Sequence, residues 1–100
     1  MSQPNGSPEF KVVLAHHLKL QADQLHDVAQ EQGLGTDFID ALKQIDLALR
    51  RDPRGFGDPL FRLPALKLTI YIRAVFPLAV NYGVHDKLPL VIVRGFRLMI

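Results

Sequence analysis

Hydrophobic and polar residues alternate with two different periods along this chain. Phe10, Val12 and Leu14 occupy alternate positions, which predicts a strand over about 9–15, although Val13 blurs the alternation. From 17 to 32 the spacing widens to Leu18, Ala22, Leu25, Val28 and Ala29, the stripe of an amphipathic helix. Gly33 follows, placed to take the left-handed conformation that ends helices. A second helical stripe runs through Phe38, Ala41, Leu42, Ile45, Ala48 and Leu49. Thr36 is its expected N-cap, Arg50 and Arg51 sit where the helix dipole favours cations, and Asp52-Pro53 stops it.

The remainder predicts sheet. Residues 52–65 hold Pro53, Gly55, Gly57, Pro59 and Pro64, and read as a connecting loop. Leu66, Leu68, Ile70 and Ile72 alternate with Lys67, Thr69, Tyr71 and Arg73, the clearest strand pattern in the chain. Leu78, Val80, Tyr82 and Val84 alternate in the same way, and His85-Asp86-Lys87 turns into a third strand over 90–96. The expected fold is α+β, in the order β-α-α-β-β-β, with an antiparallel sheet carrying a helical hairpin on one face. Residues 1–8 read as a flexible N-terminal tail and 9–100 as one domain.

If the hairpin covers Leu68, Ile70 and Ile72, the opposite face presents Lys67, Thr69, Tyr71 and Arg73. The small residues Ala79, Asn81 and Gly83 would lie beside them as a shallow basic and aromatic concavity suited to single-stranded nucleic acid. A simply wet, polar sheet face is the other reading of the same pattern. Tyr82 shares its strand face with Leu78, Val80 and Val84 and belongs to the core.

Charge sharpens this picture. Residues 1–49 carry three cations and seven acids, net −4, whereas residues 50–100 carry nine cations and three acids, net +6. Seven of the nine are arginine, whose planar fork suits phosphate and carboxylate, so the basic half expects a polyanion or an acidic segment as partner. With no cysteine, and with serine only at Ser2 and Ser7, a thiol or serine nucleophile is not expected. No phosphate-binding glycine loop occurs, and His16, His17, His26 and His85 lack metal-site spacing. The readings are therefore no cofactor, no metal, no membrane span or secretory leader, and a cytoplasmic location. Any catalysis must be acid–base or electrostatic work on a phosphodiester. Leu20, Ile39 and Leu47 fall off the helical stripes and suggest a groove along the hairpin for an amphipathic partner helix.

The order of elements, together with Ala48-Leu49-Arg50-Arg51-Asp52-Pro53, Arg62-Leu63, Tyr82-Gly83-Val84-His85-Asp86 and Val91-Ile92-Val93-Arg94-Gly95-Phe96-Arg97, resembles the RelE/ParE toxin superfamily of type II toxin–antitoxin systems. The resemblance implies a small bacterial toxin neutralised by a cognate antitoxin. Its target would be mRNA on the ribosome, cleaved as a metal-independent endoribonuclease, or DNA gyrase. It implies catalytic roles for Tyr71, Arg73 and Arg97, with Arg62, Lys67 and Arg94 as further nucleic-acid contacts. Ala79 stands where nuclease members carry a basic residue, and only Leu98, Met99 and Ile100 follow the last strand, where they carry a tyrosine or histidine. These departures point to a gyrase-type, divergent or inactive member. The alternative is a non-catalytic protein-binding domain that retains the toxin fold.

Overall fold

The computed structural model describes residues 9–100, so the N-terminal tail expected over 1–8 lies outside the described residues. The elements are β1 (Lys11–Val13), α1 (His16–Glu31), α2 (Gly35–Arg51), α3 (Pro53–Phe56), β2 (Asp58–Leu63), β3 (Leu68–Val75), β4 (Leu78–His85) and β5 (Leu90–Leu98), with a single 3-10 turn at Pro64–Leu66. They form an α+β fold with one five-stranded sheet in the order β1-β5-β4-β3-β2. Four strands are antiparallel to their neighbours, but β1 runs parallel to β5, so the sheet is mixed rather than antiparallel throughout. Between β1 and β5 lie the helices and the whole β2–β4 meander, the long connection that parallel neighbours need.

The helical hairpin forms as its stripes dictate. Phe38, Ala41, Ile45 and Leu49 line the buried side of α2, and Leu18 and Ala29 that of α1. Gly33, at φ +75°, is the left-handed residue that ends α1. Leu34 rather than Thr36 is the N-cap of α2, and no side chain caps it. The chain has already turned helical at Gly35, which leaves Thr36 inside the first turn.

Two further expectations are corrected. Residues 52–65 are not a loop: Asp52 accepts the Gly55 N–H at 3.1 Å to start α3, and Asp58–Leu63 pairs with β3 as an edge strand. Proline is tolerated there because the register slips at a bulge between Pro59 and Phe61, on the sheet edge. The second correction is the sheet's orientation. Tyr71 pairs with Tyr82, and both belong to the core beneath the helices with Leu78, Val80, Val84, Val91 and Val93. Thr69, Tyr71 and Arg73 therefore face the helical layer. Leu68, Ile70, Ile72 and Ala74 share the uncovered face with Ala79, Asn81 and Gly83.

That reversal is stable because the uncovered face partly fills itself. A methyl at Gly83 would lie 3.1 Å from Ile70 Cδ1 and 3.3 Å from Leu68 Cδ1, so these side chains fold over the hollow that glycine leaves. Both are buried without a helix above them. Among the described residues no helix is long and apolar enough to cross a membrane.

Candidate functional site

The open face fills its hollow at Gly83 but not the next one along β4. There a groove of about 390 Å³ is lined chiefly by Ile72, Ala79, Asn81, Arg94, Gly95 and Arg97. It exists because three neighbouring positions contribute little bulk: Ala79, Asn81 and, opposite Asn81, Gly95. A Cβ at Gly95 would meet nothing within 4 Å.

A bulge places the cations. Asn81 pairs with Gly95 and Tyr82 with Val93, so Arg94 is an extra residue in β5. The irregularity brings Arg94 onto the groove beside Arg97, which faces Ala79 across the strand pair. Among the described residues neither arginine takes part in a salt bridge; the two ion pairs are Arg50–Asp46 and Arg62–Asp86. Asn81 completes the wall. Its Oδ1 is sealed from solvent and has no hydrogen-bond partner among the described residues. An unmade bond of that kind costs about 1–3 kcal/mol. The two guanidinium groups lining the groove are hydrogen-bond donors only, an arrangement that receives an anion.

The six residues expected from sequence divide into three places. Arg94 and Arg97 meet at the groove. Tyr71 and Arg73 do not join them, which corrects the expected single basic and aromatic face. Tyr71 is buried and stacks on Tyr82, with ring centroids 5.4 Å apart and planes within 9°. Arg73 lies at the rim of the helix-covered face, 5.0 Å above the Phe56 ring, and donates to the Phe56 carbonyl at 2.8 Å. Arg62 and Lys67 lie at the other end of the sheet. Lys67 sits in the turn before β3 at φ 55°, and Arg62 is held by Asp86 at 2.6 Å.

Asp86 organises that corner by also accepting from the Thr69 hydroxyl at 3.0 Å. The hydrogen bond from Arg62, helped by Thr69, holds its carboxyl below the ordinary carboxylate range. A lowered folded-state pKa means that the pairing stabilises the fold above the ordinary range and is lost as pH falls through the lowered value. The stability difference between wild type and Asp86→Asn, from urea midpoints, should therefore be constant above pH ~5 and shrink to nothing in more acid solution. A difference that persists undiminished at pH ~2 would contradict this assignment. His85, beside it, accepts the backbone N–H groups of Lys87 and Leu88 at Nδ1, at 3.1 and 3.0 Å, and so shapes the turn.

On the helical side, a second cleft of about 510 Å³ opens between α1 and α2 above β1 and β5. Leu14, Ile39, Leu42 and Phe96 contribute apolar surface, and Lys19, Asp23, Lys43 and Asp46 stand among its lining residues. Ile39, off the main stripe of α2, lines this cleft, while Leu20 and Leu47 are exposed.

Sequence reasoning placed Asn81 in the concavity as a small residue but missed Gly95, which acquires its role only from the bulge. No protein-family profile matches the chain, and neither curated proteins nor solved structures show significant similarity to it. The class defined by fold and site is an α+β domain with one sheet face covered by helices and the other carrying an arginine-walled groove.

Proposed function

We propose that this chain is a RelE/ParE-like toxin of a type II toxin–antitoxin system that works in the bacterial cytoplasm and grips a nucleic-acid phosphate on its open sheet face. The observation that carries this reading is the groove lined by Arg94 and Arg97, which have no carboxylate partner among the described residues. The element order and the −4/+6 division of charge support it. The target is mRNA on the ribosome or a gyrase–DNA complex. A small antitoxin would seat an amphipathic helix along the α1–α2 cleft, with acidic residues drawn to the basic half.

The groove can stabilise negative charge on phosphorus, the work required of a metal-independent endoribonuclease. Among the described residues, however, its lining contains no carboxylate, histidine or tyrosine to move a proton, and Ala79 supplies no cation. That observation favours a second reading, a non-catalytic binding domain that retains the toxin fold.

Tightly controlled induction in a bacterial culture tests the two. Wild type should arrest growth, Arg94→Ala/Arg97→Ala should not, and Arg73→Ala should arrest like wild type. RNA 5′-end mapping against DNA supercoiling then separates the two targets. No arrest by soluble wild-type protein would leave the binding-domain reading standing.

A further inference from the structure

One acidic side chain shares the open face with the groove. A methyl at Gly57 would come within 2.5 Å of the Tyr82 hydroxyl, so Gly57 looks toward the helix-covered side. Successive strand residues point to opposite faces, so Asp58 looks the other way. The pairing agrees: Asp58 lies opposite Ile72, Ile72 opposite Asn81, and Asn81 opposite Gly95. These four residues form a row straight across β2, β3, β4 and β5.

Neighbouring strands are about 4.8 Å apart, so the row measures about 14 Å from Asp58 to Gly95. Arg94 and Arg97 reach inward from one end. The carboxylate stands at the other, with the apolar Ile72 side chain as floor between them. Asp58, like the two arginines, is exposed and has no ion-pair partner among the described residues. Charges of opposite sign thus face each other across a gap that neither closes. A guanidinium only donates hydrogen bonds and a carboxylate only accepts them. The molecule that fits between must be anionic at the β5 end and must carry an N–H donor at the β2 end.

A nucleotide of a single strand has that shape: phosphate, then sugar, then a base edge free to be read. We propose that Asp58 is a specificity-determining residue, which accepts a hydrogen bond from the exocyclic amine of the base whose phosphate rests on Arg94 and Arg97. This rests on the nucleic-acid reading above and adds to it a base preference. Cytosine offers its N4 amine to a carboxylate. Uracil offers a carbonyl oxygen at the same position, which the carboxylate repels. The ring in either case lies over Ile72. Asp58 is exposed on the edge strand and its side chain makes no hydrogen bond or ion pair among the described residues, so its replacement leaves the fold intact.

Fluorescence anisotropy on the full chain with short labelled oligocytidylate and oligouridylate RNAs tests this. Wild type should bind the cytidylate about tenfold more tightly. Asp58→Ala should abolish that preference, chiefly by weakening cytidylate binding, while Arg94→Ala/Arg97→Ala should weaken both oligomers by a similar factor. Equal binding of the two oligomers by wild type, or a preference that survives in Asp58→Ala, would overturn the role of Asp58 and leave the phosphate groove standing. Failure of wild type to bind either oligomer would instead remove the nucleic-acid reading itself, and this inference with it.

Discussion

Truncating Tyr82 to alanine is expected to lower the unfolding free energy by about 3–5 kcal/mol, the range for large aromatic truncations in a core. Domains of this kind have only about 5–15 kcal/mol in total, so much of the folded population is at stake. The side chain is completely buried and makes three separate contacts. Its ring stacks on Tyr71, it lies 6.3 Å from the Phe56 ring, and its hydroxyl donates to the Pro53 carbonyl at 2.6 Å. Tyr82 therefore pins α3 to the sheet, and α3 aims the chain into β2. Burial raises the phenol far above its ordinary range, so it stays neutral and serves structure rather than proton transfer.

Tyr82→Phe isolates the hydrogen bond and should cost about 1–2 kcal/mol, because the Pro53 carbonyl loses its partner. Gly57→Ala tests the same contact from the other side. Its new methyl would lie 2.5 Å from the hydroxyl and 3.0 Å from the Ile72 carbonyl, so the strand must shift. In the Tyr82→Phe background the nearer obstacle is gone, and Gly57→Ala should cost less than it does in wild type. Strict additivity of the two substitutions in urea unfolding would show that they do not share a contact.

The helical hairpin was legible because its signals are local. The Phe38–Leu49 stripe and Gly33 act within a few residues of themselves, and both elements form where the spacing places them. The sheet orientation was not legible, because alternation separates two faces without naming the one that is covered. Hydropathy chose Leu68, Ile70 and Ile72 for the helices. The chain instead buries Tyr71 there and lets Leu68 and Ile70 close over Gly83. Arg73 survives on the helix side by lying over Phe56 at the rim. β2 was hidden by Gly57 and Pro59, which read as loop residues until the bulge on an edge strand accommodates the proline. The parallel pairing of β1 had no signal either, since a three-residue strand carries no mark of its direction. The groove has the same origin: Arg97 was visible as a strand-end cation, but its companions depend on a one-residue slip in β5.

That slip leads to the second large effect. Replacing Arg94 and Arg97 together by alanine should weaken binding of single-stranded RNA more than a hundredfold. Each guanidinium–phosphate bond is charge-assisted and contributes about 1.5–3 kcal/mol, and each 1.4 kcal/mol is about tenfold in affinity. Loss of affinity alone would not distinguish a lost contact from a damaged fold, so the salt dependence carries the argument. Two lost phosphate contacts on a single strand should reduce the slope of log affinity against log salt concentration by about 1.4, while the urea midpoint of the free protein stays near wild type. Arg73→Ala gives the contrast. Its guanidinium is engaged with Phe56 on the opposite face, so removing it should cost some stability and leave the slope unchanged. Tyr71→Phe should change neither, since the Tyr71 ring is packed on Tyr82 beneath the helices. If Arg73→Ala lowered the slope as much as the double replacement, the anion would be bound on the helix-covered side. The bulge at Arg94 would then be an incidental kink in an edge-facing strand. An unchanged slope after Arg73→Ala assigns the phosphate to the open face, where β5 has spent a regular pairing to turn a second arginine beside Arg97.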